Sequence, residues 1–257
     1  MSLKRFVFAT DLHFGFERRS GHKVPLHDIK ALNSMLAFVQ DFKPDTFIWG
    51  GDLIDAGCIS HHNHGKPGIT EGLKLIEDVT QCRKVAIEPI EKMLPNAKKV
   101  LIKGNHERFL ADLSEKFPAL EGMIEAEHLL KLDGWQIIEH GGAFNLGKLT
   151  FIHGDQLSGG ENVAKNAVIS YERNIRFGHF HSYQAYSKTS VVSYKNAKTG
   201  ILVPCLCHKQ PSYGRGAPNR WMQGFNYGYI LEGGNFSDSI VVVLDGKCVV
   251  NGKLYKG

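Results

Sequence analysis

The chain has 257 residues, of which 42% are aliphatic, aromatic or Cys, and it carries a formal net charge of +5. That length suits one well-buried domain and is short for two, and the composition excludes disorder as the default. A pI near 8.8 tolerates a nucleic-acid substrate but excludes a dedicated nucleic-acid coat, and no run of about 18 apolar residues offers a membrane span.

The opening stretch MSLKRFVFATDLHFG lacks the cleavage site of a signal peptide, so the expectation is a cytoplasmic protein beginning near Met1. Lys4 to Ala9 reads as a first strand, ending in a turn with Asp11 and His13. Residues 27–42 place Ile29, Leu32, Leu36 and Val39 at helical spacing, with Pro44 beyond the end. Asp45 to Trp49 is a second strand, closed by Gly50-Gly51-Asp52. A Gly- and His-rich loop, Cys58 to Gly68, leads to a long helical stretch over Thr70 to Met93. Lys98 to Lys103 is a third strand, and short helices fill 107–131. From Trp135 the pattern changes to strands at 135–139, 149–153, 174–177, 183–193, 200–204, 226–232 and 239–244, with one helix at Asn162 to Tyr171. This suggests a second, more antiparallel sheet packed on the first. Asp245-Gly246 and Asn251-Gly252 read as hairpin turns. The five cysteines, Cys58, Cys82, Cys205, Cys207 and Cys248, are irregularly spaced and read as buried free thiols.

Five short segments each put a metal-seeking side chain at the end of an expected strand. They are Asp11-Leu12-His13, Gly51-Asp52, Gly104-Asn105-His106-Glu107, His153-Gly154-Asp155 and Gly178-His179-Phe180-His181. Ligands of open α/β sheets collect at the carboxyl ends of strands, so these side chains can converge although distant in sequence. Taken singly, Asp11-Leu12-His13 and Gly51-Asp52 are also ordinary turn chemistry. His179 and His181, two apart on an extended segment, share a face. Carboxylate, imidazole and amide oxygen together suit Mn, Fe, Zn, Co or Ni better than Ca.

In this order the segments resemble the calcineurin-like metallophosphoesterase superfamily, whose signature is D-x-H, G-D, G-N-H-[DE], H and G-H-x-H. The resemblance implies an α/β fold: a two-sheet β-sandwich flanked by helices in four layers, α/β/β/α. It implies a single domain over 1–257, with the core motifs in 1–185 and a sheet and cap in 186–257. Two divalent transition-metal ions are implied, manganese first. Asp11, His13 and His181 would hold one, Asn105, His153 and His179 the other, and Asp52 would bridge them. His106 would face the substrate phosphate. The implied reaction is phosphoester hydrolysis by in-line attack of a metal-bridging hydroxide, since metal binding lowers the pKa of water toward about 7. Asp55, Asp155 and Glu107 are the nearest carboxylates that could orient the imidazoles.

Other residues leave two readings open. His61, His62 and His64 form either a solvated rim or a substrate-touching one. Arg215 and Arg220, interleaved with Tyr213, Trp221 and Phe225 in the loop Lys209 to Gly224, suit phosphate and base contact, or the aromatics simply anchor the loop. Arg108 is a further phosphate contact by position, and Arg18, Arg19 and Lys23 follow the first motif. His22, His27, His128, His140 and His208 read as ordinary surface or core histidines. The leading expectation is a phosphodiesterase acting on a phosphate ester, with DNA or RNA as candidate substrate and no membrane partner. The rivals are a Ser/Thr or small-molecule phosphomonoesterase and a non-catalytic, metal-stabilised binding scaffold. The oligomeric state is not encoded in any of these signals.

Overall fold

The structure is a computed structural model that describes residues 3–189, 191–192, 197–210 and 219–257. Its first half runs β1 (Lys4–Ala9), β2 (Phe16–Arg19), β3 (His22–Pro25), α1 (Ile29–Phe42), β4 (Thr46–Trp49) and α2 (Pro67–Thr70). Helices α3 (Leu75–Cys82) and α4 (Glu88–Met93) follow, then β5 (Lys98–Ile102), α5 (Asn105–Lys116) and α6 (Ala126–Leu129). The second half holds β6 (Gln136–Ile138), β7 (Phe144–Leu146), β8 (Leu149–Phe151), α7 (Val163–Tyr171) and β9 (Asn174–Phe177). It closes with β10 (Gln184–Lys188), β11 (Lys198–Leu202), β12 (Gln223–Ile230), β13 (Phe236–Val243), β14 (Lys247–Val250) and β15 (Lys253–Lys256).

The strands form a six-stranded sheet, ordered β13-β12-β1-β4-β5-β6, and a five-stranded sheet, ordered β10-β11-β9-β8-β7. The period of two along a strand divides their side chains between layers. In β1, Phe6 and Phe8 point at the second sheet, where Phe151 meets their rings at 5.4 and 5.2 Å. Val7 and Ala9 point the other way, onto Leu32, Met35 and Val39 of α1. On the far side α7 lays Val163, Ala164, Ala167 and Val168 on Ile175, Phe177 and Leu202. The layers are therefore helix, sheet, sheet, helix, as expected. Among the described residues no helix is long and apolar enough to cross a membrane.

Several element bounds differ from the sequence reading. Strands β6, β12 and β13 join the first sheet, β12 antiparallel to β1, so the second sheet is smaller than expected and its core pairs, β8–β9 and β9–β11, are parallel. Alternation marks a strand but carries no label for the sheet it joins. Helix 70–93 begins only at Leu75, because Gly72 turns the chain at φ 77°, and a π-helical turn at Arg83–Ile87 interrupts it. The stretch Phe14 to Lys23 contains a hairpin, with Ser20 and Gly21 at φ 49° and 83°, a turn whose twist matches its strands. The same positive pair occurs at Asp245-Gly246 and Asn251-Gly252, as expected there. The strand expected at 183–193 ends at Lys188, and those expected at 200–204, 226–232 and 239–244 run instead over Lys198–Leu202, Gln223–Ile230 and Phe236–Val243. Hydrogen bonding sets those ends, and hydropathy alone does not show it.

Candidate metal centre

Parallel strands β1, β4, β5, β8 and β9 all end at one edge of the sandwich, and the five motifs follow them. The loops stay paired beyond the strands: Asp11 N–H donates to Gly51 O, His13 N–H to Asp52 O and Gly178 N–H to His153 O, at 2.7–3.0 Å. This side-by-side path needs sharp bends. Asp11, His13, Asp52, His179 and His181 have φ between 47° and 69°, the left-handed region that few non-glycine residues adopt. Close approach also requires glycine: a Cβ on Gly104 would overlap Asp52 Oδ1, and one on Gly178 would overlap Asp11 Oδ2.

Among the described residues four groups of donors lie close enough to hold an ion, and two of them are built from the expected ligands alone. Asp11, His13 and His181 bring their donor atoms within 4.8 Å of one another, and so do Asp52, His153 and His179. Asn105 joins the second group, its Oδ1 lying 3.0 Å from His153 Nε2. Asp52 Oδ2 lies 3.3 Å from His153 Nε2 and 3.6 Å from His13 Nε2, so its carboxylate reaches both groups. All are buried except Asn105 and His179, which are partly exposed. Buried Asp11 Oδ1 and His179 Nδ1 have no hydrogen-bond partner. Orphaned buried donors and acceptors are rare, and a cation among them satisfies both. The mixed oxygen and nitrogen set, with its convergent lone pairs, fits divalent transition ions.

The surroundings fix three of the four imidazoles. His13 Nδ1 lies 3.2 Å from Asp55 Oδ1 and His153 Nδ1 lies 2.9 Å from the Gly50 carbonyl, so each turns Nε2 to the centre. His181 Nδ1 lies 3.7 Å from the Cys207 thiol, a partner that spacing did not suggest. Burial opposes charge throughout, yet His181 beside Asp11 holds that carboxyl down at about 2, and Asp52 pulls His153 up to about 10. Burial and His153 together lower His179. The carboxylates are thus ionised and ready to ligate.

His106 belongs to neither group, although its ring lies 4.5 Å from that of His13 and its backbone N–H donates to Asp52 Oδ1 at 2.9 Å. Its Nδ1 is 2.6 Å from the Asp55 carbonyl and must donate to it, which leaves Nε2 directed inward, 4.0 Å from Asp52 Oδ2. Asp55 therefore orients two histidines, one through its carboxylate and one through its carbonyl. Glu107 does something other than orient an imidazole. Buried at the start of α5, it accepts N–H bonds from Asp52, Leu53, Ile54 and Gly104 at 2.8–3.2 Å. Asp155 pairs with His140 at 2.6 Å and touches no ligand imidazole, so His140 is more than a surface histidine.

A cavity of about 590 Å³ opens beside Asn105 and His106. Its walls include Phe16, Leu26, Ile69, Leu73 and Phe109, and His62 and Lys66 from the rim loop. The rim histidine His62 thus borders this space, and Phe109 was findable as the residue one turn after His106. The cations expected at the mouth are ion-paired: Arg108 with Asp112, Arg18 with Glu71, Lys23 with Glu77, Arg220 with Glu161, and Arg19 with Glu17 of the cavity wall. Arg108 does not line the cavity. Arg215 and Tyr213 lie outside the described residues. Phe225 is core, fully buried against Phe38, as the anchoring alternative held. His27 is core as well, stacked on Phe14 at 3.8 Å.

The family model for calcineurin-like phosphoesterases matches residues 4–234. The chain belongs to that family. As a calcineurin-like phosphoesterase it is a metal-dependent phosphoester hydrolase, and the family implies two divalent ions for the two ligand groups described. It is similar to the gene 54 proteins of Mycobacterium phages L5 and D29. Identity is 26% over 252 residues with the first and 24% over 251 with the second, each match covering 92% of this chain and 96% of the relative. Among solved structures it is similar to a dimetal phosphatase from Danio rerio, at TM-score 0.44 and 9% identity over 93% of this chain and 95% of that one. It is also similar to Vps29 from Chaetomium thermophilum, at TM-score 0.40 and 9% identity over 93% and 97%.

Proposed function

We propose that the protein hydrolyses phosphodiesters, with a DNA or RNA strand end as the macromolecular substrate. The observation that carries this is the cavity beside His106. Its wall is mostly apolar, and Lys66 is its one cation among the described lining residues, with Glu17 and Asp55 also present. A doubly charged monoester gains little there, whereas a singly charged diester can place an organic arm against Phe109 and Leu73.

In this reading Asp11, His13 and His181 hold one ion, Asn105, His153 and His179 the other, and Asp52 both. The donor set supports manganese as the first metal to supply. When bound, the ions supply Lewis acidity and a water made acidic enough to react near neutral pH. The protein's own part is positional. The cavity receives the leaving arm beside His106. His106, held by the Asp55 carbonyl, presents Nε2 to the leaving oxygen and gives it a proton, a step worth about 10²–10⁴-fold.

The test is hydrolysis of bis-p-nitrophenyl phosphate and p-nitrophenyl phosphate by manganese-loaded protein, beside His106→Ala. Diester turnover should exceed monoester turnover and fall at least about 100-fold in the variant, with metal content retained. A monoester preference refutes the diester reading, and an unimpaired variant refutes the role of His106.

A further inference from the structure

His13 and His153 back onto oxygen, as ligand imidazoles ordinarily do: the Asp55 carboxylate at 3.2 Å and the Gly50 carbonyl at 2.9 Å. His181 backs onto sulfur. Its Nδ1, Cys205 Sγ and Cys207 Sγ lie within 4.8 Å of one another, and all three residues are buried. Zn–S bonds of about 2.3 Å and a Zn–N bond of about 2.0–2.1 Å, set at tetrahedral angles, put sulfur and nitrogen about 3.6 Å apart. Cys207 Sγ stands 3.7 Å from His181 Nδ1. The Met222 carbonyl, 3.2 Å from Cys205 Sγ, offers an oxygen for a fourth position.

The main chain fixes these donors. Cys205 N–H donates to Met222 O at 3.0 Å, Cys205 O accepts from Gly224 N–H at 2.9 Å, and Leu206 N–H donates to Asp11 O at 3.1 Å. Gln223 Nε2 holds the Cys207 carbonyl at 2.8 Å, and Met222 N–H donates to His181 O at 2.7 Å. Both thiols are thus set beside His181 by bonds that neither sulfur makes.

We propose that His181 Nδ1, Cys205 and Cys207 form a separate site for a thiophilic divalent ion of the zinc class, joined to the hydrolytic centre through one imidazole. His181 Nε2, 3.3 Å from Asp11 Oδ1, faces that centre while Nδ1 faces the sulfurs. Two thiolates and an imidazole favour zinc over manganese. The thiols and the Nδ1–H give up their protons on binding, and a buried site of this kind fills as the chain folds. The site is independent of which phosphate ester the enzyme takes.

The experiment is zinc X-ray absorption and metal analysis on full-length protein expressed in zinc-supplemented medium, so that burial does not bar entry. Wild type should show a Zn–S shell at about 2.3 Å. The double variant Cys205→Ser and Cys207→Ser should lose that shell and about one zinc per chain, keeping the ions of the hydrolytic centre. Cys207→Ala alone should halve the shell, and Cys58→Ser, which removes a thiol outside the site, should leave it intact. A wild-type spectrum without sulfur overturns the proposal whatever the variants do. So does a sulfur shell that survives in the double variant. Thiols that serve only as packing would change the melting temperature on substitution and leave both zinc readouts unmoved, which also overturns it.

Discussion

Glu107 belongs to neither donor group, yet it holds together the loops that carry them. One buried carboxylate gathers four backbone N–H groups, three from Asp52 to Ile54 and one from Gly104. It therefore holds the loop of the bridging aspartate against the loop of Asn105 and His106. Replacing one oxygen by an amide NH₂ turns acceptor into donor in front of N–H groups, and each buried donor left unpaired costs about 1–3 kcal/mol. Glu107→Gln should lower metal content at both sites and cut phosphoester hydrolysis more than about tenfold, with a melting temperature lower by several degrees. Full metal content and activity in that variant would sink this account. The residues that converge in the two donor groups were legible because each motif is local: a chemical pair or tetrad after an apolar run. Their supports were not. Glu107 acts on residues more than fifty positions away, and the Cys207 thiol reaches His181 across 26. Nothing in Cys205-Leu206-Cys207 distinguishes a histidine's partner from a buried thiol. The left-handed backbone at five ligands was equally hidden, since Asp and His tolerate that region without demanding it.

Helix α3 carries a carboxyl of another kind. Asp78 is buried, one of its oxygens lacks a partner, and burial pushes its pKa from 3.8 up to about 7, with Asp55 and Glu77 adding and Lys23 opposing. Here the native state binds the proton more tightly than the unfolded chain does. Stability is then greatest below the ordinary carboxyl range and falls as pH rises through the window between about 4 and 7. Asp78→Asn removes that loss. The variant's advantage in melting temperature should grow across this window and level off above it, and a pH-independent difference would contradict the assignment. The other elements show why sequence resolves some better than others. Helix α1 was legible because Asp28 caps it through Lys30 and Ala31 N–H and its apolar face is regular. The β2–β3 hairpin was not, since its cationic residues resemble a solvated loop and only the Ser20-Gly21 turn betrays it.

For the whole molecule, the layered order and the reaction class were readable from the motifs, whereas the sheet to which β12 and β13 belong was not. Their pairing is long-range, Lys4 against Ile230 and Phe8 against Asn226, and alternation cannot express it. We propose that the chain behaves as one domain. Each ion bound only to the native state at about a hundredfold its Kd adds about 2.7 kcal/mol, so chelating both should lower the melting temperature by about 10–20 °C while leaving a single transition. Two resolved transitions, or no shift, would argue against it. The centre also draws its candidate ligands from both sheets: Asp11, Asp52 and Asn105 follow strands of one, His153, His179 and His181 follow strands of the other. It therefore works as a caliper across the seam of the sandwich. A substitution deep in that seam, at Phe6 or Phe151, touches no ligand and still changes the gap the jaws must span. Metal affinity is then the quantity in which a slip of one sheet against the other registers first.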